Sequence, residues 1–115
     1  MTRFWMDQPP LFVHRLARGE SFEGLRFATV DEGDETTVIS SKAGEGAVGP
    51  YVCITMGPFD LGLIGIMARA SAALMEEKVP TFVLSTYRHD HILVPLEMTR
   101  NAVKALTDAG FSIRK

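Results

Sequence analysis

Cysteine occurs once in the 115 residues, at Cys53. A disulfide framework is thereby excluded. The lone thiol sits in an apolar run and reads as a small buried side chain, not as a nucleophile. An excess of charge of one sign is also lacking. Twelve Lys and Arg stand against fourteen Asp and Glu, for a formal charge of −2 and a pI near 5.9. No basic stripe runs along the chain, so nucleic acid and anionic membrane surfaces are not expected partners. The longest apolar stretch, Leu61 to Met75, carries Gly62, Gly65, Arg69 and Ser71 and is too short to cross a bilayer. The first ten residues have no signal-peptide apolar core. What remains is ordinarily globular, 46% hydrophobic and 23% charged. The expectation is a soluble cytoplasmic protein, forming one compact domain or two small half-domains that share a core.

The first half is strand-like in pattern. Leu11 to Leu16 alternates after a Pro-Pro break. Leu25 to Val30 and Thr36 to Ser40 flank the acidic, Gly-bearing segment Asp31-Glu32-Gly33-Asp34-Glu35, a good hairpin connection. Carboxylates in such a turn are usually just solvated, so a metal is not expected there. Lys42 to Pro50, with Gly44, Gly46, Gly49 and Pro50, reads as a linker. It lacks the Lys-Ser/Thr of a phosphate loop.

The second half is more regular. Tyr51 to Met56 predicts a strand, Gly57-Pro58-Phe59-Asp60 a turn, and Asp60 a helix N-cap. A helix follows from about Leu61 to Lys78, with Leu63, Ile66, Met67, Ala70, Ala73 and Leu74 on one face. Ile64, Ala68, Ala72 and Met75 spread apolar surface beyond that face, which suggests packing against another copy. Val79-Pro80 ends the helix. Strands Thr81 to Thr86 and His91 to Val94 enclose a polar turn. A second helix runs from Leu96 to Ala109, Gly110 closes it, and Phe111-Ser112-Ile113 makes a short last strand. The order over residues 51 to 113 is β-α-β-β-α-β, the ferredoxin-like arrangement, an antiparallel sheet with both helices on one face.

Three segments carry a resemblance: Gly57-Pro58-Phe59-Asp60-Leu61, Gly65-Ile66-Met67-Ala68, and Ser85-Thr86-Tyr87 through Asp90-His91-Ile92-Leu93-Val94. Together they resemble a family of small bacterial ACT-domain proteins, and similar units occur in cytosolic arginine sensors of the CASTOR type. The resemblance implies an α+β fold, with a degenerate three-stranded ACT-like half at residues 1–48 and a regular ACT domain at 49–115. It also implies a non-catalytic regulatory or sensor module that binds an amino acid or similar small metabolite at a domain interface, as a homodimer. Carried over position by position, the ligand-binding residues are Gly57, Phe59, Asp60 and Leu61 from the loop, with Ser85, Thr86 and Asp90 from the hairpin. The family's usual hairpin reads Ser-Thr-Tyr-Asp-Thr-Asp followed by an aromatic. Here Arg88, His89 and His91 replace the first acid, the second Thr and the aromatic. Arg88 joins the site as a specificity element, because a guanidinium in place of a carboxylate either favours an anionic ligand or abolishes binding.

The physical logic of such a site is independent of the resemblance. A helix N-terminus offers free N–H groups to a carboxylate, an Asp accepts from an ammonium group, and hydroxyls orient both. Other readings of the same residues are weaker. His89 and His91 flank Asp90 but lack an adjacent third metal ligand. Ser85, His89 and Asp90 lack a nucleophile elbow and an oxyanion donor set. No enzyme, metal or cofactor is expected. The rival to a sensor is a structural or dimerisation module with no small ligand.

Overall fold

The computed structural model describes residues 2–59 and 64–114. The chain forms β1 (Arg3–Trp5), β2 (Leu11–Ala17), β3 (Ala28–Asp31), β4 (Glu35–Ser40) and β5 (Val48–Met56). These are followed by α1 (Ile66–Glu76), β6 (Phe82–Ser85), β7 (Asp90–Pro95), α2 (Thr99–Asp108) and β8 (Ser112–Ile113), with a 3-10 turn at Leu96–Met98 leading into α2.

β5 organises everything else. One edge pairs antiparallel with β7, from Tyr51 opposite Pro95 to Met56 opposite Asp90. The other edge is shared: its N-terminal end pairs with β2 and its C-terminal end with β1. Beyond β2 lie β4 and β3, and beyond β1 lies β8, so the strands form one eight-stranded sheet with β6 outside β7. Residues Cys53 to Met56 of β5 are buried, which requires cover on both faces of the sheet. Ile54 and Met56 face the helices together with Phe4, Ile92 and Val94, against Ala70, Leu74, Ala102 and Leu106. Cys53 and Leu93 face the other way and join Leu11 and Ile39, with Phe27, Phe82 and Leu84 packed alongside. The N-terminal strands thus curl over the face that the helices leave open.

The fold is the expected α+β, ferredoxin-like arrangement, with one addition. β1 stands between β5 and β8, and β8 pairs with it in parallel, Arg3 opposite Ser112 and Phe4 opposite Ile113. Ser112 N–H donates to Thr2 O at 2.9 Å and Arg114 N–H to Phe4 O at 2.8 Å. The last strand therefore reaches the sheet only through the first.

Several boundaries differ from the sequence reading, among them the end of α1, at Glu76 and not Lys78, and the start of α2, at Thr99 after the 3-10 turn. Val48 to Pro50 extend β5 instead of belonging to a linker, with a register shift against β2 between Leu11 and Val13. The expected strand at Leu25 to Val30 begins at Ala28, because Phe22, Arg26 and Lys42 knit the preceding loop. Arg26 donates to Phe22 O at 3.1 Å, and Lys42 Nζ donates to Glu23 O at 2.9 Å. Helix α1 begins at Ile66, after a left-handed Gly65 with φ 88, so the helix does not run unbroken from Leu61. Gly65 is the N-cap. Asp60, expected in that role, lies outside the described residues, as do Leu61 and Leu63. The remainder of the α1 stripe packs as its spacing predicts, with Ala70 and Leu74 buried and Ile66, Met67 and Ala73 against the same cluster.

Candidate functional site

The β6–β7 turn and the start of α1 come together at one end of the helix-covered face. Ser85 and Asp90 are the last register pair of β6 and β7. The Ser85 hydroxyl donates to Asp90 Oδ1 at 2.6 Å, holding the carboxylate toward the helix side. The turn between them is closed by Thr86, whose N–H donates to His89 O at 2.8 Å and whose hydroxyl donates to the same oxygen at 3.2 Å. Four residues of turn therefore stand as a short, internally bonded wall.

Gly57 brings the end of β5 against that wall. Its φ is 137, and a Cβ there would lie 2.7 Å from Arg88 O and 2.9 Å from His89 Cδ2. Only glycine permits the approach. It lets Phe59 N–H donate to Arg88 O at 2.7 Å, which carries the Phe59 ring to the floor of the gap between turn and helix. The gap is an open cavity of about 280 Å³. Phe59, Ser85, Thr86, Arg88 and Asp90 line it, facing Gly65 to Ala68 at the start of α1.

Among the described residues the start of α1 has no side-chain cap, and its first turn contains no acidic residue. Arg69 N–H is the first to find a helical acceptor, Gly65 O at 3.2 Å, which leaves the amides before it without intrahelical partners. The partial positive charge of the helix end is thus concentrated at the cavity wall.

Of the residues expected at the site, the structure brings together Phe59, Ser85, Thr86, Arg88 and Asp90. Gly57 stands behind the wall and positions it instead of lining the cavity. Asp60 and Leu61 lie outside the described residues. Gly65, Ile66, Met67, Ala68, Tyr87 and His89 also line the cavity and were not among the expected contacts. The signal for the first four was the displaced helix start, legible only in the possibility that Gly65 breaks the helix.

His91 turns away from the cavity to the opposite face. Its Nδ1 lies 3.0 Å from Thr55 Oγ1 and its Nε2 lies 3.4 Å from Thr86 Oγ1, with the Phe27 ring edge-on at 5.2 Å. Burial, and secondarily the His89 charge, hold its pKa below the ordinary 6.5. Its two nitrogens are occupied, and its ring centroid is 6.1 Å from that of His89. Among the described residues no three His, Cys, Asp or Glu side chains converge on a metal-sized point. Ser85 donates to Asp90 and to no imidazole, so these groups do not form a nucleophile–base pair. Cys53 is buried, and desolvation pushes its thiol up to about 11, away from nucleophilic chemistry.

Residues 51–108 match the ACT domain, and the chain belongs to that family. ACT domains are generally regulatory modules that bind small ligands. Solved structures share the fold, Atu0741 and VC0802 among them. Protein Atu0741 from Agobacterium tumefaciens is similar over 98% of this chain and 92% of its own, with a TM-score of 0.82 and 22% identity. VC0802 from Vibrio cholerae, described as a protein of unknown function and possible transport protein, is similar over 94% of this chain and 89% of its own. Its TM-score is 0.74 and its identity 21%. No curated protein matches the sequence. No helix among the described residues is long and apolar enough to cross a membrane.

Proposed function

We propose that this protein is a non-catalytic sensor or regulatory module that binds an amino acid or similar small metabolite in the cavity between α1 and the β6–β7 turn. One observation carries this reading: the cavity sets an uncapped helix N-terminus opposite a carboxylate held by Ser85. These are the two complementary charges that an α-amino acid needs met at once. At about 280 Å³ the cavity lies just below the usual range of ligand pockets, roughly 300 to 1,000 Å³. A single amino acid suits it better than a nucleotide or a peptide.

A second copy of the chain completes the reading. Met75 is 70% exposed, and with the exposed Ala68 and Ala72 it makes an apolar stripe along the outer side of α1, while Ile64, 88% exposed, stands just before the helix. The stripe begins at the cavity, where Ala68 is a lining residue. A partner seated on it would cover the cavity mouth, so ligand binding and pairing would support each other.

A thermal-shift panel of the twenty amino acids tests this. A ligand present at a hundredfold excess over its Kd stabilises by about 2.7 kcal/mol, several degrees in Tm. If no amino acid raises Tm while size exclusion shows a dimer, the protein is a dimerisation module without a ligand.

A further inference from the structure

We propose that the cavity selects an α-amino acid carrying a second carboxylate, and that Arg88 is the residue that makes the selection. The inference rests on the amino-acid reading above and adds the ligand's charge to it.

The described lining holds one guanidinium, Arg88, and one carboxylate, Asp90. They stand two positions apart on the same wall and do not pair. Asp90 is engaged by the Ser85 hydroxyl at 2.6 Å. The ion pairs among the described residues are Arg15 with Glu35 and Lys104 with Asp108, both remote from the cavity. The Arg88 backbone is fixed by the bond from Phe59 N–H to its carbonyl oxygen at 2.7 Å. The side chain therefore leaves from an anchored position, with its charge uncommitted among the described residues.

A guanidinium stays ionised at any physiological pH and presents a planar fork suited to two carboxylate oxygens. An amino acid whose α-ammonium meets Asp90 and whose α-carboxylate meets the α1 amides leaves that fork unanswered. A second carboxylate on the ligand answers it, and a cationic ligand side chain is repelled by it. The lining thus discriminates by charge, through attraction of one class and rejection of the other.

The test compares L-glutamate and L-aspartate with L-glutamine, L-asparagine and L-lysine by thermal shift and calorimetry, on the parent protein and on Arg88→Gln and Arg88→Asp. Arg88 is exposed, so the ligand-free variants should melt with the parent. One of the two acids is expected to bind the parent about tenfold or more tightly than its amide, the scale of a charge-assisted hydrogen-bonded pair. In Arg88→Gln the acid should lose its advantage, so that the acid and the amide bind alike. In Arg88→Asp the preference should pass to L-lysine. If the parent binds amides as well as acids, or the preference survives in Arg88→Gln, the selection is not made by Arg88 and the broader amino-acid reading still stands. If no amino acid binds the parent or either variant, both readings fall.

Discussion

Gly57 and Arg88 touch backbone to backbone: a Cβ at residue 57 would lie 2.7 Å from the Arg88 carbonyl oxygen, which also accepts the Phe59 N–H at 2.7 Å. The cavity owes its floor to this contact. Gly57→Ala must force a side chain into a left-handed backbone and against a carbonyl that has no freedom to retreat. We expect it to cost about 2–3 kcal/mol in urea unfolding and to abolish any ligand-induced thermal shift. Gly65→Ala is the matched control. Gly65 also has positive φ, but a Cβ there meets nothing within 4 Å, so about 1 kcal/mol is expected. Equal costs at the two positions would mean that the Gly57 contact contributes nothing specific.

His91 should impose a pH dependence on stability. Its folded pKa lies below the ordinary 6.5, chiefly through burial and then through His89, while Asp90 and Asp7 act in the opposite sense. A depressed histidine is neutral in the folded state and takes up a proton more readily when unfolded. Stability is therefore lost as pH falls from about 6.5 toward the lowered folded value, and the loss levels off below that value. Chemical unfolding of the parent and His91→Gln across this window provides the check. The variant should show a shallower decline on acidification than the parent. Parallel pH profiles would rule out the burial of a neutral imidazole.

The intercalated strand β1 should be as costly to lose as any core element. Phe4 is 0% exposed and sits among Ile54, Met56 and Phe111 of the helix-side core. Phe4→Ala should destabilise by about 3–5 kcal/mol. The amides of Ser112 and Arg114, bonded to Thr2 O and Phe4 O, should exchange slowly in the parent and quickly in a chain shortened past Trp5. A cost under about 1 kcal/mol, or protection that survives the truncation, would mean that β8 pairs directly with β5.

Much of the architecture was legible because local chemistry and global fold agree in the second half. Pro95 precedes α2 and Gly110 turns the chain out of it, each for reasons confined to a few neighbouring residues, whereas α1 ends at Glu76 and turns out through a left-handed Lys78 before Pro80 is reached. Where the reading failed, the deciding contacts lie far away along the chain. Arg3–Trp5 has no alternation long enough to register as a strand. It becomes one because Met56 on one side and Ile113 on the other supply hydrogen-bond partners. Gly49-Pro50 carries a linker's composition yet extends β5, because β2 lies alongside to pair with Val48 and Tyr51.

The site divides the same way. Phe59, Ser85, Thr86, Arg88 and Asp90, the positions that the resemblance and its one departure single out, line one cavity. That Gly57 would act as a spacer and that Gly65 would bare the helix end depended on backbone angles and on close approaches that composition does not encode.

By itself the sequence determined the β-α-β-β-α-β order, the face that α1 buries and the cluster of polar groups between β6 and β7. Periodicity and turn chemistry are local properties, readable residue by residue. Only the tertiary structure decided that the first strand would separate β5 from β8, that His91 would turn inward while Arg88 stayed at the cavity, and that α1 would begin at Ile66. Those outcomes depend on which distant backbone groups must find partners when the sheet closes, and that competition is resolved only once the whole chain has packed.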